Sequence, residues 1–209
     1  MKHLVLIGDS IFDNAGYVAA GDAVIDQLQY KLPEGYNASL LAVDGDVTDD
    51  VYAQLANIPS DATHLFLSVG GNDALRIASV MNEKVNSVGE AMEIFTEIKS
   101  DFQSRYRKLL GELAERQVQL TICTVHDSVP ELYQRSLTAL ALYNEVILKE
   151  AFAIGAPVID LRLICNESAD YSEISPIEPS QRGGEKIVDA ILNVVKSHNF
   201  CSEKSNIFS

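Results

Sequence analysis

The stretch HLVLIGDSIFDN, residues 3–14, decides the fold. Its apolar residues run without interruption from Leu4 to Ile7, which is typical of a short strand buried on both faces. The run stops at Gly8-Asp9-Ser10. A hydroxyl group just past the end of a buried strand is well presented to a cleft, so Ser10 is a candidate nucleophile that needs a partner to take its proton.

Four further apolar runs of strand length follow, at residues 38–43, 64–69, 118–125 and 157–161. The segments between them carry apolar residues at helical spacing. Strands that alternate with helices predict an α/β protein, with a five-stranded parallel sheet covered on both faces by helices. Functional groups in such folds gather beyond the carboxyl ends of the strands.

The chain length of 209 residues suits a single domain, which we assign to residues 1–198. The last helix of this domain is predicted to begin after Ser180 as its N-cap, with Ile187, Ile191 and Val194 facing inward. Residues 199–209 form a polar C-terminal tail that we expect to be frayed.

The composition excludes several classes of partner. A net charge of −14 disfavours nucleic acid and anionic membrane surfaces, since both are bound through clustered Lys and Arg. No stretch approaches the roughly 18 to 20 apolar residues of a membrane-spanning helix, and the opening apolar run is shorter than a signal-peptide core. Three widely spaced cysteines without a Cys-x-x-Cys motif favour a reduced, cytoplasmic protein.

Polar motifs follow four of the predicted strands in turn. They are Gly8-Asp9-Ser10, Asp44-Gly45-Asp46, Gly70-Gly71-Asn72-Asp73 and His126-Asp127. The loop SPIEPSQRGGEKI, residues 175–187, precedes the last helix and can reach the same rim of the sheet. We therefore expect these motifs to converge on one site.

The order and spacing of these motifs resemble those of the SGNH, or GDSL, hydrolase family over nearly the whole chain. The resemblance implies a flavodoxin-like three-layer α/β/α sandwich and hydrolysis of esters. It assigns Ser10 as nucleophile, and the Ser10 amide, the Gly45 amide and the Asn72 side chain as oxyanion donors. Glycine and asparagine suit this role, because one offers an unobstructed amide and the other a neutral donor.

The last motif departs from the family. There the family reads Asp-x-x-His-Pro-Asn-x-x-Gly, with the His as base and the Asp as its orienting partner. Pro179 and Gly183 keep the register in this chain, so Glu178 stands in place of the His and Ser175 in place of the Asp. The usual Ser-His-Asp triad cannot form from these positions.

A glutamate can act as the base only in a suitable environment. Its reference pKa of about 4.3 lies about two units below that of His, but burial can raise it towards neutrality. Ser175 in place of an Asp avoids a second negative charge and could donate a hydrogen bond that aims the carboxylate. We therefore predict a Ser10–Glu178 catalytic pair that acts on small or short-chain esters.

Structural interpretations of the same residues stand beside the catalytic ones. Ser10 could cap a helix, Gly45 could be a turn glycine, and Asn72 or Asp73 could cap the helix that follows them. Asp9 is interpreted as a brace of its loop that also lines the site.

Two alternatives concern the base itself. Glu178 could be an exposed charge at a helix N-terminus, and His126 could reach the cleft and replace the missing histidine. The rival function is a catalytically weak or inactive member of the fold that binds an acylated or anionic ligand. Neither metal-binding spacing nor a phosphate-binding glycine motif is present in the sequence, so no metal and no cofactor are expected.

Overall fold

The computed structural model describes residues 2–201 and 204–209 and contains a parallel sheet of six strands in the order β2-β1-β3-β4-β5-β6. The strands are β1 Lys2–Gly8, β2 Tyr36–Leu40, β3 His64–Ser68, β4 Gln119–Cys123, β5 Val158–Ile159 and β6 Ile207–Phe208. β1 pairs with β2 on one side and β3 on the other. The motif that ends β1 therefore lies at the carboxyl edge of the sheet, between the ends of β2 and β3.

Seven α-helices cover the two faces of the sheet. They are α1 Val24–Lys31, α2 Val51–Leu55, α3 Gly71–Arg76, α4 Val88–Ala114, α5 Gln134–Ala153, α6 Leu161–Ile164 and α7 Gln181–Ser197. Short 3₁₀ helices occupy residues 15–17, 78–82 and 168–170. Ser180 caps α7 as expected, because its hydroxyl accepts a hydrogen bond from the Gly183 amide at 3.2 Å.

The sheet divides the core into two layers, and β1 contributes side chains to both of them. Leu4 and Leu6 pack with α1 and α7, whereas Val5 and Ile7 pack with α2, α4 and α5. All four side chains are fully buried. Side chains alternate between the faces of a strand, so an uninterrupted apolar run fits a strand with a helical layer on each side.

The predicted α/β class and parallel sheet are confirmed, but the predicted count of five strands is one too low. The sixth strand, Ile207–Phe208, comes from the tail that we expected to be frayed. β5 is two residues long, and its flanking amides donate to this tail, Val158 to the Asn206 carbonyl at 2.8 Å and Asp160 to the Phe208 carbonyl at 2.9 Å. A two-residue apolar pair is too short to show strand periodicity, and the domain boundary at residue 198 stays a prediction.

The longest helix, α4, has 27 residues and an amphipathic sequence. Over the ranges that the structure describes, no helix is both long and apolar enough to cross a bilayer. The cytoplasmic location stays a prediction.

Candidate active site

Ser10 lies in the turn directly after β1. Gly8 has a φ of +122°, and a Cβ there would meet the Ser68 carbonyl oxygen at 1.8 Å, so only glycine fits where β1 leaves the sheet. The Asp9 amide donates to the same oxygen at 2.9 Å. The Ser10 amide has no acceptor in the described part of the chain and remains available as a donor.

Gln54, on α2, fixes the backbone at the end of β1. Its Oε1 accepts a hydrogen bond from the Gly8 amide, and its Nε2 donates to the Gly8 carbonyl, both at 2.7 Å. The same Nε2 lies 2.8 Å from Asp46 Oδ2, in the loop after β2. One buried side chain thus joins two of the predicted motifs, and nothing in the local sequence pattern of Gln54 indicates this role.

Glu178 lies in a small hairpin that precedes α7. Tyr171 and Pro179 form an antiparallel bridge, and the Ser172 amide donates to the Glu178 carbonyl at 2.8 Å. The Glu178 amide donates to the Ser175 carbonyl at 3.1 Å, which closes a turn with proline at its second position. Ser175 therefore holds Glu178 through the backbone.

Asn14 connects this hairpin to the loop of Ser10. Its side chain is fully buried, donates from Nδ2 to the Pro179 carbonyl at 3.1 Å, and accepts at Oδ1 from the Val24 amide at 2.9 Å. Ser172 adds a second link by donating from its hydroxyl to the Tyr17 carbonyl at 2.5 Å. The two segments that carry Ser10 and Glu178 are therefore held side by side.

The side chains of Ser10 and Glu178 meet. The Ser10 hydroxyl is close enough to the Glu178 carboxylate to lower its pKa, and Glu178 is only 4% exposed, so it is not a solvent-facing helix charge. Burial raises the pKa of Glu178 to about 7. The Ser10 hydroxyl lowers this pKa, whereas the charge of Asp44 raises it further. Oε2 of Glu178 is buried and has no hydrogen-bond partner among the described residues.

Asp9 is a second buried carboxyl group beside the pair. Its Oδ1 accepts a hydrogen bond from the Ile11 amide at 3.2 Å, which braces the turn as expected. Burial raises the pKa of Asp9 well above its ordinary value, and the charges of Glu178 and Asp73 raise it further. Ionisation of Asp9 is therefore disfavoured while Glu178 is charged.

An apolar cavity of about 150 Å³ opens at Ser10. Asp9, Ser10, Asn72, His126 and Glu178 all lie at its polar end. The sequence predicted this convergence, and the structure brings these five residues to one cavity.

Two of the three expected oxyanion donors face this cavity. Asn72 donates from Nδ2 to the Asp46 carbonyl at 3.0 Å, which orients the amide and leaves its second N–H without an acceptor among the described residues. Gly45 has a φ of +83° in an exposed turn closed by the Asp46 amide and the Val43 carbonyl at 3.2 Å. It is not one of the residues that line the cavity.

Asp73 lies behind the cavity and does not line it. Its Oδ2 accepts from the Thr48 amide at 2.9 Å and the Thr48 hydroxyl at 3.0 Å, and its Oδ1 accepts from Arg105 Nη1 at 2.8 Å. These bonds tie the loop after β2 to α3 and α4, so Asp73 acts as an anchor of the site.

His126 forms part of the cavity wall and is almost fully buried. Its ring meets the Tyr171 ring edge to face, with the ring centroids 4.9 Å apart, and lies near the backbone of Ile177, the neighbour of Glu178. Burial lowers the pKa of His126 to about 4, which leaves it neutral at physiological pH. Nothing in its contacts joins it to Ser10, and it supports the Glu178 segment from behind.

Comparison with known proteins identifies the family of this chain. The sequence profile of the GDSL-like lipase/acylhydrolase family matches residues 6–185. The chain therefore belongs to the GDSL-like lipase/acylhydrolase family, as the motif order predicted. This membership supports a hydrolase of the esterase or lipase type.

Individual relatives are distant in sequence. The uncharacterized protein YpmR of Bacillus subtilis is 23% identical over 225 residues, which cover 97% of this chain and 85% of YpmR. The lipase Lip_vut3 from a goat rumen metagenome has a TM-score of 0.74 at 18% identity, covering 96% of this chain and all of that lipase. A GDSL-family lipolytic protein of Veillonella parvula has a TM-score of 0.70 at 19% identity, with coverage of 95% and 100%. These similarities establish the shared fold.

Proposed function

We propose that this protein is an ester hydrolase in which Ser10 is the nucleophile and Glu178 is the general base. The observation that carries the proposal is that these two side chains are both buried and line the same apolar cavity, with the Ser10 hydroxyl close enough to influence the Glu178 carboxylate. A nucleophile paired with a base at the mouth of a cavity is the arrangement that acyl transfer needs.

The reaction proceeds in two steps. Glu178 takes the proton of the Ser10 hydroxyl as Oγ attacks the ester carbonyl, and the protonated Glu178 then gives that proton to the departing alcohol. Water hydrolyses the acyl-serine with Glu178 again as base, which releases the acid and restores Ser10. The negative oxygen of each tetrahedral intermediate is stabilised by the Ser10 amide and the free N–H of Asn72, with Gly45 as the donor that the family pattern adds.

The pKa of Glu178 explains how a carboxylate can replace histidine. At a pKa of about 7 the group is close to half ionised at neutral pH, and it is a far better base than an ordinary carboxylate. His126 is the weaker candidate, because burial lowers its pKa to about 4 and none of its described contacts joins it to Ser10.

Hydrolysis of p-nitrophenyl butyrate by wild type, Ser10→Ala and Glu178→Gln tests the proposal. We expect both variants to lose at least a hundredfold in kcat, because each removes one member of a proton-transferring pair. Glu173→Gln, an exposed glutamate of the same hairpin, is the matched control and should keep wild-type activity. Equal rates in all four proteins would overturn the proposal.

Labelling by a fluorophosphonate probe separates catalysis from the second candidate function, a ligand-binding protein without turnover. The exposed position of Gly45 outside the cavity lining favours that candidate. The described cavity walls contain no Lys or Arg, so its ligand would be acylated rather than anionic. Covalent labelling at Ser10 supports the hydrolase, and an unlabelled protein that still binds acylated ligands supports the alternative.

A further inference from the structure

The cavity that opens at Ser10 bears on which substrate is accepted, and not only on the type of reaction. Its other walls are mostly apolar and come from four helical segments, with Ala74 on α3, Ala78 on the following 3₁₀ helix, Phe95 on α4, and Ala139 and Leu140 on α5. Ser136 and Tyr143 add two uncharged polar side chains from α5 to this lining. We propose that this cavity holds the acyl group of the substrate and selects uncharged acyl chains of about six carbons; the inference rests on the proposed ester hydrolysis.

The direction of the substrate follows from the positions of Asn72 and Glu178. The alcohol oxygen must lie by Glu178, which returns the proton to it. Glu178 lies near the exposed Asp44, whose charge adds to the rise of its pKa by burial, and Tyr17 donates a hydrogen bond to Asp44 at 2.7 Å. Neither Asp44 nor Tyr17 lines the cavity. The alcohol therefore leaves towards this exposed rim, and the acyl chain extends the other way, along α3 and into the cavity.

The size of the cavity sets the chain length. An apolar cavity of about 150 Å³ in another protein binds benzene, a molecule of six carbons. Each methylene that enters an apolar pocket is worth about fourfold in affinity, so kcat/KM should rise about two-hundredfold from acetyl to hexanoyl esters. Longer chains gain nothing inside the cavity and should show no further rise.

The charge of the cavity walls determines which chemical groups can stand at the far end of the substrate's acyl chain. Among the described residues that line it, the ionisable ones are Asp9, His126, Glu178 and Tyr143, with neither Lys nor Arg, and burial raises the pKa of Tyr143 to about 12, so this phenol stays uncharged. An acyl chain with a terminal carboxylate would therefore lose its hydration without gaining a partner. Hexanoyl esters should exceed the equally long adipoyl monoesters by at least a hundredfold.

The test is a series of p-nitrophenyl esters from acetyl to decanoyl, plus the adipoyl monoester, on wild type and three variants. Ala139→Leu fills the cavity and should shift the optimum to butyryl or shorter, whereas Met81→Ala widens it and should favour octanoyl. Ala141→Leu is the matched control, since Ala141 lies on the same helix, is exposed and does not line the cavity. Opposite shifts cannot arise from a general loss of folding.

The outcomes separate this inference from the proposed function. If hydrolysis depends on Ser10 but is independent of chain length, or Ala139→Leu behaves as Ala141→Leu, the acyl-chain inference is overturned while the hydrolase stands. If no ester is hydrolysed in a Ser10-dependent way and Ser10 is not labelled by a fluorophosphonate, both are overturned.

Discussion

At the residue scale, Glu178 makes the rate depend on pH. The base acts only when ionised, and its pKa is about 7 because the carboxylate is buried beside Ser10 and near the charge of Asp44. We expect kcat/KM for p-nitrophenyl butyrate to rise with pH through a single limb centred near pH 7 and then level off. A rate that falls as pH rises, or a limb near pH 4, would exclude Glu178 as the base.

The sequence predicts the position of Glu178 in the motif but not its surroundings in the folded protein. Pro179 and Gly183 fix the register that puts Glu178 in the histidine position, so the candidate base could be identified from spacing alone. Its burial and its contact with Ser10 could not, because both depend on a hairpin closed by backbone bonds among Ser172, Ser175 and Glu178. The predicted side-chain hydrogen bond from Ser175 to Glu178 stays a prediction.

At the scale of elements, the strands and helices follow from the spacing of apolar residues, whereas the bonds that join the loops do not. β1, β3 and α7 were predictable because each buries a periodic apolar set that is visible locally. Asn14 and Gln54 bond to backbone groups 165 and 46 residues away, and no local pattern marks such a partner. The positions of the loops, and hence the geometry of the site, depend on these two amides.

Asn14→Asp tests whether the bond between the loop after β1 and the Glu178 hairpin positions the base. The variant keeps an acceptor for the Val24 amide but loses the donor to Pro179 and sets a carboxylate against that carbonyl. Loss of such a buried bond costs about 1–3 kcal/mol, so we expect kcat to fall about tenfold or more with little change in KM. The limb of the pH–rate profile should move upward, because the added charge raises the pKa of Glu178.

Asn57→Asp is the control for this variant. It removes a comparable bond from Nδ2 to the Ala53 carbonyl at an exposed position. A pH profile of Asn14→Asp that matches those of wild type and Asn57→Asp would show that Asn14 serves stability alone.

At the scale of the whole molecule, the buried acidic side chains of the site differ from those elsewhere in the interior in whether they have cationic partners. Four buried carboxylates each pair with a cation, in Asp73–Arg105, Glu150–Arg107, Asp160–Arg162 and Asp170–Lys186. Asp9 and Glu178 are equally buried but have no cationic partner in the described part of the chain. Unpaired buried acids destabilise a fold when ionised, which is typical of groups retained for chemistry.

Because these two buried acids lack cationic partners among the described residues, we predict that the protein is less stable at high pH. We also predict that Glu178→Gln restores part of the lost stability. Below pH 4.5 Glu178 is protonated in both the folded and the unfolded protein. Between pH 4.5 and about 7, Glu178 ionises in the unfolded chain but stays protonated in the folded protein. The free energy of unfolding should therefore fall as pH rises through this window, by up to about 3 kcal/mol from Glu178 alone.

Urea unfolding at pH 5 and pH 8 measures the effect. Glu178→Gln cannot ionise, so its stability should decline less between the two values, whereas the exposed Glu173→Gln should follow wild type. Asp9, whose pKa is also raised, adds a decline in all three proteins, which is smaller in Glu178→Gln because the Glu178 charge that raises the pKa of Asp9 is absent there. Parallel pH dependences for wild type and Glu178→Gln would mean that the Glu178 carboxylate is not strained by burial, and the physical basis for using it as a base at neutral pH would be lost.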